Sequence, residues 1–250
     1  MTEKRTELVW TYEPKDFFEA AYHAATEVYD LVVRDGRAVA TLKVPQNPVK
    51  PGLVKLIAED LEDFFLVRQL RQRRSYKLQQ GPPSIQQHGV GGGTTVTVEA
   101  SDAAASVANP DVLIQDQAGN VLADTRAARI AKDTAMLDAI TSKLAKSPLL
   151  RGMLKSYRQS IADPANQLFH LYEVRDALAK YYSGENDARK ALNISGADWR
   201  YIGRLADHEP IEQSRHRGQH PDRREATADE LEKARSIIWK WILAQADIIP

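Results

Sequence analysis

YDLVVRDGRAVATLKV (residues 29–44) decides one half of the fold, and ANQLFHLYEVRDALAKYY (165–182) decides the other. In the first stretch two apolar runs flank Asp35-Gly36. An Asp-Gly between alternating apolar residues marks a hairpin, because the turn needs positive φ at its centre. In the second stretch Leu168, Leu171, Tyr172, Ala177, Leu178 and Tyr181 fall close to one helical stripe. Asp163-Pro164 before it reads as an N-cap followed by a first-turn proline, and Gly184 stops it.

The texture around each stretch agrees with it. LVWTY (8–12), ending at Pro14, reads as a strand, as does TTVTVEA (94–100). DVLIQDQAGNVLADT (111–125) reads as a second hairpin about Ala118-Gly119-Asn120. One helix interrupts them: LVKLIAEDLEDFFLVRQLRQRR (53–74) spaces Leu53, Leu56, Ile57, Leu61, Phe64, Phe65 and Leu70 at three and four, and is expected to cover a face of the sheet. Gly81 to Gly93 reads as a loop.

Beyond residue 125 the period becomes helical, at 126–146, 149–161, the short NDARKALN (186–193), ADWRYIGRLAD (197–207) and LEKARSIIWKWILAQA (231–246). Ser195-x-x-Asp198 opens the fourth with a variant capping box, and Thr227-x-x-Glu230 opens the last with a full one. Of Trp239 and Trp241, two apart on that helix, one is expected in the core and the other at an interface. The expected fold class is therefore α+β: a β-rich domain of unknown role over 1–125 with one covering helix, then an all-α domain over 126–250.

Composition excludes several chemistries. With no cysteine in 250 residues there is no disulfide, thiolate metal site, iron–sulfur cluster or cysteine nucleophile. Lys plus Arg number 34 and Asp plus Glu 34, so a polyanion would have to be held by a local basic patch. No apolar run reaches the roughly 18 residues of a membrane span. MTEKRTELVWTYEP carries no signal-peptide core, so a cytoplasmic location is expected. GVGGG (89–93) lacks the Lys and helix start that a phosphate loop requires. No Gly-x-Ser-x-Gly elbow occurs. His216 and His220 are spaced for a helical metal pair, but Gly218 and Pro221 argue against a helix there, so neither metal nor cofactor is expected.

The densest chemical cluster is SRHRGQHPDRR (214–224), with four Arg and two His in eleven residues. Arginine offers a fixed fork of donors to phosphate, and histidine moves protons near neutral pH. Those groups suffice to cleave RNA without a metal: a base takes the 2′-hydroxyl proton, cations hold the phosphate, and an acid protonates the leaving oxygen. The plainer alternative is a solvated basic loop between two helices. A second basic run, RQLRQRR (68–74), is a further candidate RNA contact.

Arg215-His-Arg-Gly-Gln-His220 resembles the R-x4-6-H signature of the HEPN superfamily, and Leu171-Tyr-Glu followed by Ala177-Leu resembles a core helix of HEPN-like bacterial proteins. The resemblance covers about 148–246 and implies a four- or five-helix bundle that dimerises with its two signatures facing. It implies that Arg215 holds the phosphate and that His220, with His216 beside it, acts as base or acid. Arg217, Arg223 and Arg224 would contact RNA, and Glu173 or Asp176 would be an acidic residue on an earlier helix. Three functions follow as expectations: a metal-independent endoribonuclease of toxin or phage-defence type acting as a homodimer; a non-catalytic module binding RNA or protein through the same loop; or a loop that only tethers helices. Nothing in the N-terminal half names its ligand or partner.

Overall fold

The computed structural model describes residues 3–46, 48–81, 84–88, 111–115, 118, 120–215 and 222–250. The chain is α+β, with an antiparallel sheet first and helices after it. It divides into two compact units, Met1–Ala58 with Leu78–Met136, and Glu59–Lys77 with Leu137–Pro250.

The sheet is formed by β1 (Glu3–Glu13), β2 (Tyr22–Ala25), β3 (Tyr29–Arg34), β4 (Arg37–Leu42), β5 (Lys77–Gln80) and β6 (Ser84–His88), in the order β2-β3-β4-β1-β5 with β6 also on β1. The β3–β4 hairpin turns at Asp35 and Gly36, whose φ values of 50° and 77° are both positive, as a two-residue primed turn needs. Register then builds the buried face. Ala40 stands between Leu8 and Leu31, and Ala38 between Trp10 and Val33. Both alanines are fully buried, and their small size in the middle strand leaves room for the larger side chains on either side.

A short separate sheet pairs β7 (Leu113–Gln115) with β8 (Val121–Asp124); Gly119 of the expected turn lies outside the described residues. The segment read as a loop from Gly81 to Gly93 contains a strand instead. Ser84–His88 pairs with Glu3–Glu7, because the edge of β1 offers unpaired backbone groups that local composition does not reveal. TTVTVEA (94–100) lies outside the described residues.

The helices are α1 (Pro51–Gln72), α2 (Thr125–Leu144), α3 (Pro148–Ala162), α4 (Gln167–Tyr181), α5 (Glu185–Ala191), α6 (Gly196–Gly203) and α7 (Ala228–Asp247). Only residues 51–58 of α1 group with the sheet unit; the rest groups with the helices. The polar side chains of that part explain why: Asp63 takes Arg151 at 2.5 Å, Glu62 takes Arg158, and Arg73 takes Glu232. Arg68, within RQLRQRR, is 4% exposed, reaches Asp138 at 2.6 Å and lies over the Phe64 ring at 3.5 Å, so it cannot line a phosphate track.

Ser195 and Thr227 cap α6 and α7 as expected, accepting the N–H groups of Asp198 and Glu230, with Thr227 and Glu230 forming the full capping box, and Ser147 likewise caps α3 by accepting Leu150 N–H. Asp163 stands at the N-cap with Pro164 in the first turn, but of a 3-10 turn, Pro164–Asn166, that precedes α4, and it makes no side-chain cap bond; its carboxylate accepts Asn166 Nδ2 at 2.6 Å and contacts His170 Nε2 at 3.2 Å. Trp241 is in the core, stacked on Trp199 at 5.2 Å between ring centroids, while Trp239 is half-buried. Among the described residues, no helix is long and apolar enough to cross a membrane.

The alternation of small and large side chains is testable. Ala40→Leu should destabilise the protein by about 1–3 kcal/mol, because the row from Leu8 to Leu31 has no space for it. Urea unfolding of parent and variant measures this, and an unchanged midpoint would refute the packing argument.

Candidate functional site

The site begins with α4. Leu168, Leu171, Val174 and Leu178 are each at most 1% exposed and fix the rotation of the helix. Tyr172, Arg175 and Asp176 are then neighbours on its surface, three and four residues apart. After α6 the chain makes a π-helical turn, Arg204–His208, and leaves it at Glu209.

The loop carrying the Arg/His cluster is closed at its base. Ile211 and Arg224 form an isolated parallel bridge, in which Glu212 N–H donates to Arg224 O and Arg224 N–H donates to Pro210 O, both at 3.0 Å. The first side of the loop is stitched to two helices. Phe169 N–H, in the first turn of α4 where no intrahelical acceptor exists, donates to Gln213 O at 3.2 Å. Arg215 N–H donates to Ala206 O of the π-turn at 2.9 Å. Ser214, 3% exposed, donates its hydroxyl to Ile211 O at 2.6 Å, and Gln213 Oε1 accepts Ala226 N–H at 3.0 Å.

This stitching delivers the Arg215 side chain to α4. Its Nη1 donates to Asp176 Oδ2 at 3.2 Å, and its guanidinium carbon is 5.0 Å from the centre of the Tyr172 ring. Arg175 meets the same two groups: its Nη1 donates to the Tyr172 hydroxyl at 2.8 Å and lies 4.0 Å from Asp176 Oδ1, with its guanidinium carbon 5.0 Å from that ring. Arg175 also lies 4.9 Å from the Trp199 ring centre. Tyr172 and Asp176 thus join two guanidinium groups. Glu173 does not; it contacts His170 Nδ1 at 3.3 Å, so the two acids on α4 serve different partners.

The arginines of the cluster divide by how many donors remain. Arg215 is 41% exposed and spends one donor on Asp176. A pair this exposed contributes about 0.2–1 kcal/mol, little enough for an incoming phosphate to replace it. Arg224 is engaged by its own chain. Nη1 donates to Glu230 Oε2 and the Glu225 carbonyl, and Nη2 to Glu230 Oε1 and Glu209 Oε2. All four Nη hydrogens have acceptors, so Arg224 clasps the loop base to the start of α7 and does not offer a fork to RNA. Arg223 is exposed. His216, Arg217 and His220 lie outside the described residues, so the Arg215–His220 geometry does too.

Reading by motif missed four residues of the same region. Arg200, Arg204 and His208 follow one another at intervals of four along α6 and the π-turn, and Arg175 faces them from α4 across one pocket. The four-residue spacing was the available signal. Among the described residues, no group of three or more His, Asp or Glu side chains is placed to hold a metal ion.

The clasp makes the loop acid-sensitive. Hydrogen bonds from Arg224, ahead of those from Thr227, hold the Glu230 carboxyl at about 2, below its ordinary 4.5. A carboxylate with a lowered pKa stabilises the fold fully above its unfolded value and loses that contribution as pH falls through its folded value. Melting temperature should therefore drop between about pH 4.5 and 2, and part of that drop should disappear in Arg224→Met. An Arg224→Met profile parallel to the parent's would remove Arg224 as the cause.

No protein-family model, no curated protein and no solved structure matches the chain, so what the site does rests on its residues alone.

Proposed function

We propose that the chain is a metal-independent endoribonuclease of toxin or phage-defence type, with a HEPN-like helical domain that pairs as a homodimer. The observation that supports this reading is the mounting of Arg215. Its backbone is tied to the π-turn, its side chain rests on Asp176 and Tyr172 of α4, and among the described residues Asp176 is the acceptor its guanidinium uses. A guanidinium held in place yet still able to donate is what a scissile phosphate requires.

The chemistry assigns one role to each residue. Arg215 holds the non-bridging oxygens of the phosphate, with Arg217 and Arg223 along the strand. One of His216 and His220 takes the 2′-hydroxyl proton; the 2′-oxygen then bonds to phosphorus. The other His protonates the departing 5′-oxygen. The products are a 2′,3′-cyclic phosphate and a free 5′-hydroxyl.

A second reading draws support from Asp176. An internal counter-ion on Arg215 also suits a non-catalytic module that binds RNA or protein through the loop. Incubation of purified protein with mixed labelled RNA in EDTA, beside His220→Ala and Arg215→Ala, separates the two. The nuclease reading expects cyclic-phosphate ends from the parent and a loss of about 100-fold or more in either variant. RNA binding that weakens with salt, without cleavage, transfers the loop to the binding reading. Neither activity, with a lowered melting temperature in Arg215→Ala, leaves it a tether.

A further inference from the structure

The helical unit holds a pocket of about 580 Å³ beside Arg175. Arg175, Arg200, Arg204 and His208 line it against one carboxylate, Glu185, and the Tyr201 ring forms part of the wall. Glu185 is itself shared: it lies 3.9 Å from Arg175 Nη2 and accepts Arg189 Nη1 at 3.3 Å. Arg204 shares Glu209 with Arg224, at 2.9 and 2.7 Å. Arg200 is exposed and has no carboxylate partner among the described residues. Cations outnumber their counter-ions in this wall.

Trp199, 1% exposed, backs the wall; its indole N–H and the Nε of Arg175 are shut off from the pocket and have no acceptor among the described residues. One further feature points to a ligand. Next to the lining residue Ala197, a Cβ placed on Gly196 would lie 2.6 Å from Arg189 Nη2 and 3.2 Å from Arg200 Nη1. Two like-charged guanidinium groups close in on one point there, an arrangement that an anion between them relieves.

The geometry points to an organic phosphate as the occupant, with its phosphoryl group against Arg200, Arg204 and His208 and its organic part along Tyr201. Arginine forks fit tetrahedral phosphate oxygens. The volume, within the roughly 300–1,000 Å³ range of small-ligand sites, far exceeds what inorganic phosphate alone would fill. The half-buried Tyr201 ring adds an aromatic surface flanked by cations, with Lys233 Nζ 4.2 Å and the Arg204 guanidinium carbon 5.5 Å from its centre. A 5′-nucleotide meets these requirements, whether free or as a unit of an RNA strand. Occupation of the pocket does not require cleavage at His220, since none of the described lining residues lies in the 214–224 loop.

The test is calorimetric titration of the full chain at low salt with adenosine 5′-monophosphate, inorganic phosphate and an octaribonucleotide. Adenosine monophosphate should bind more tightly than phosphate. Arg200→Glu, a change at an exposed position, should weaken it about tenfold or more with an unchanged melting temperature. Arg215→Ala should leave its affinity within about twofold, because the arginines that line the pocket remain in place. Displacement of adenosine monophosphate by the octaribonucleotide identifies a strand as the source, and simultaneous binding identifies a free nucleotide; both uphold the phosphate site. Absence of binding at millimolar ligand, or equal affinity in Arg200→Glu, overturns it. Nucleotide binding without EDTA-resistant cleavage would count against the nuclease and leave the pocket standing.

Discussion

Burial of Leu168, Leu171, Val174 and Leu178 sets what the helical unit presents. With that stripe in the core, α4 cannot rotate without exposing leucines, at roughly 1.5–3 kcal/mol for each side chain returned to water. The rotation in turn fixes Tyr172, Arg175 and Asp176 beside one another. It also leaves the first-turn N–H of Phe169 to be satisfied from outside the helix, which the carbonyl of Gln213 does. Attachment of the loop is thus a consequence of helix burial and of an unmet backbone donor. Arg215 follows two residues later, and the neighbouring hydrogen bond to Ala206 turns its side chain toward Asp176.

What could be read from the sequence was what local chemistry dictates. Asp35-Gly36 needs no partner to demand a primed turn, and Ser195 and Thr227 satisfy N–H groups three residues away. What could not be read depends on distant partners. Ser84–His88 becomes a strand because Glu3–Glu7 offers it an edge, and nothing in SIQQH says so. Arg68 looks like the start of a basic helix end until Asp138 draws it inward. Asp163 has the right residue type for a cap, but the 3-10 turn that follows it and the nearby His170 claim its carboxylate. At the site, spacing singled out Arg215, while its partner Asp176 stands 39 residues earlier and was named only as one of two acids. Arg200, Arg204 and His208 are legible by their intervals, although ADWRYIGRLAD, with His208 after it, also reads adequately as a plain helix.

A chain with equal numbers of acidic and basic groups can still build a cationic site, because the field near a surface depends on distribution. Here the groups are guanidinium forks, which keep a fixed geometry while flexible lysine heads would not. They are gathered on α4, α6 and the π-turn, and their carboxylates are shared out: Asp176 between Arg215 and Arg175, Glu185 between Arg175 and Arg189, Glu209 between Arg204 and Arg224. One carboxylate serving two arginines holds both in position and neutralises only one charge. The cluster is ordered and remains positive, which is the charge the inferred phosphate would answer.

Arg224 and Arg215 show how the same residue type does opposite work nine positions apart. Arg224 has an acceptor for every Nη hydrogen, with both oxygens of Glu230 in its fork; displacing those contacts would break several charge-assisted bonds at once. Among the described residues Arg215 has one side-chain acceptor, a carboxylate that is half exposed. The first is a clasp, and the second is, on the proposed reading, a donor held for phosphate. On the proposed reading, a phosphate would exchange places with Asp176 at Arg215 while the base of the loop stays held by the Ile211–Arg224 bridge.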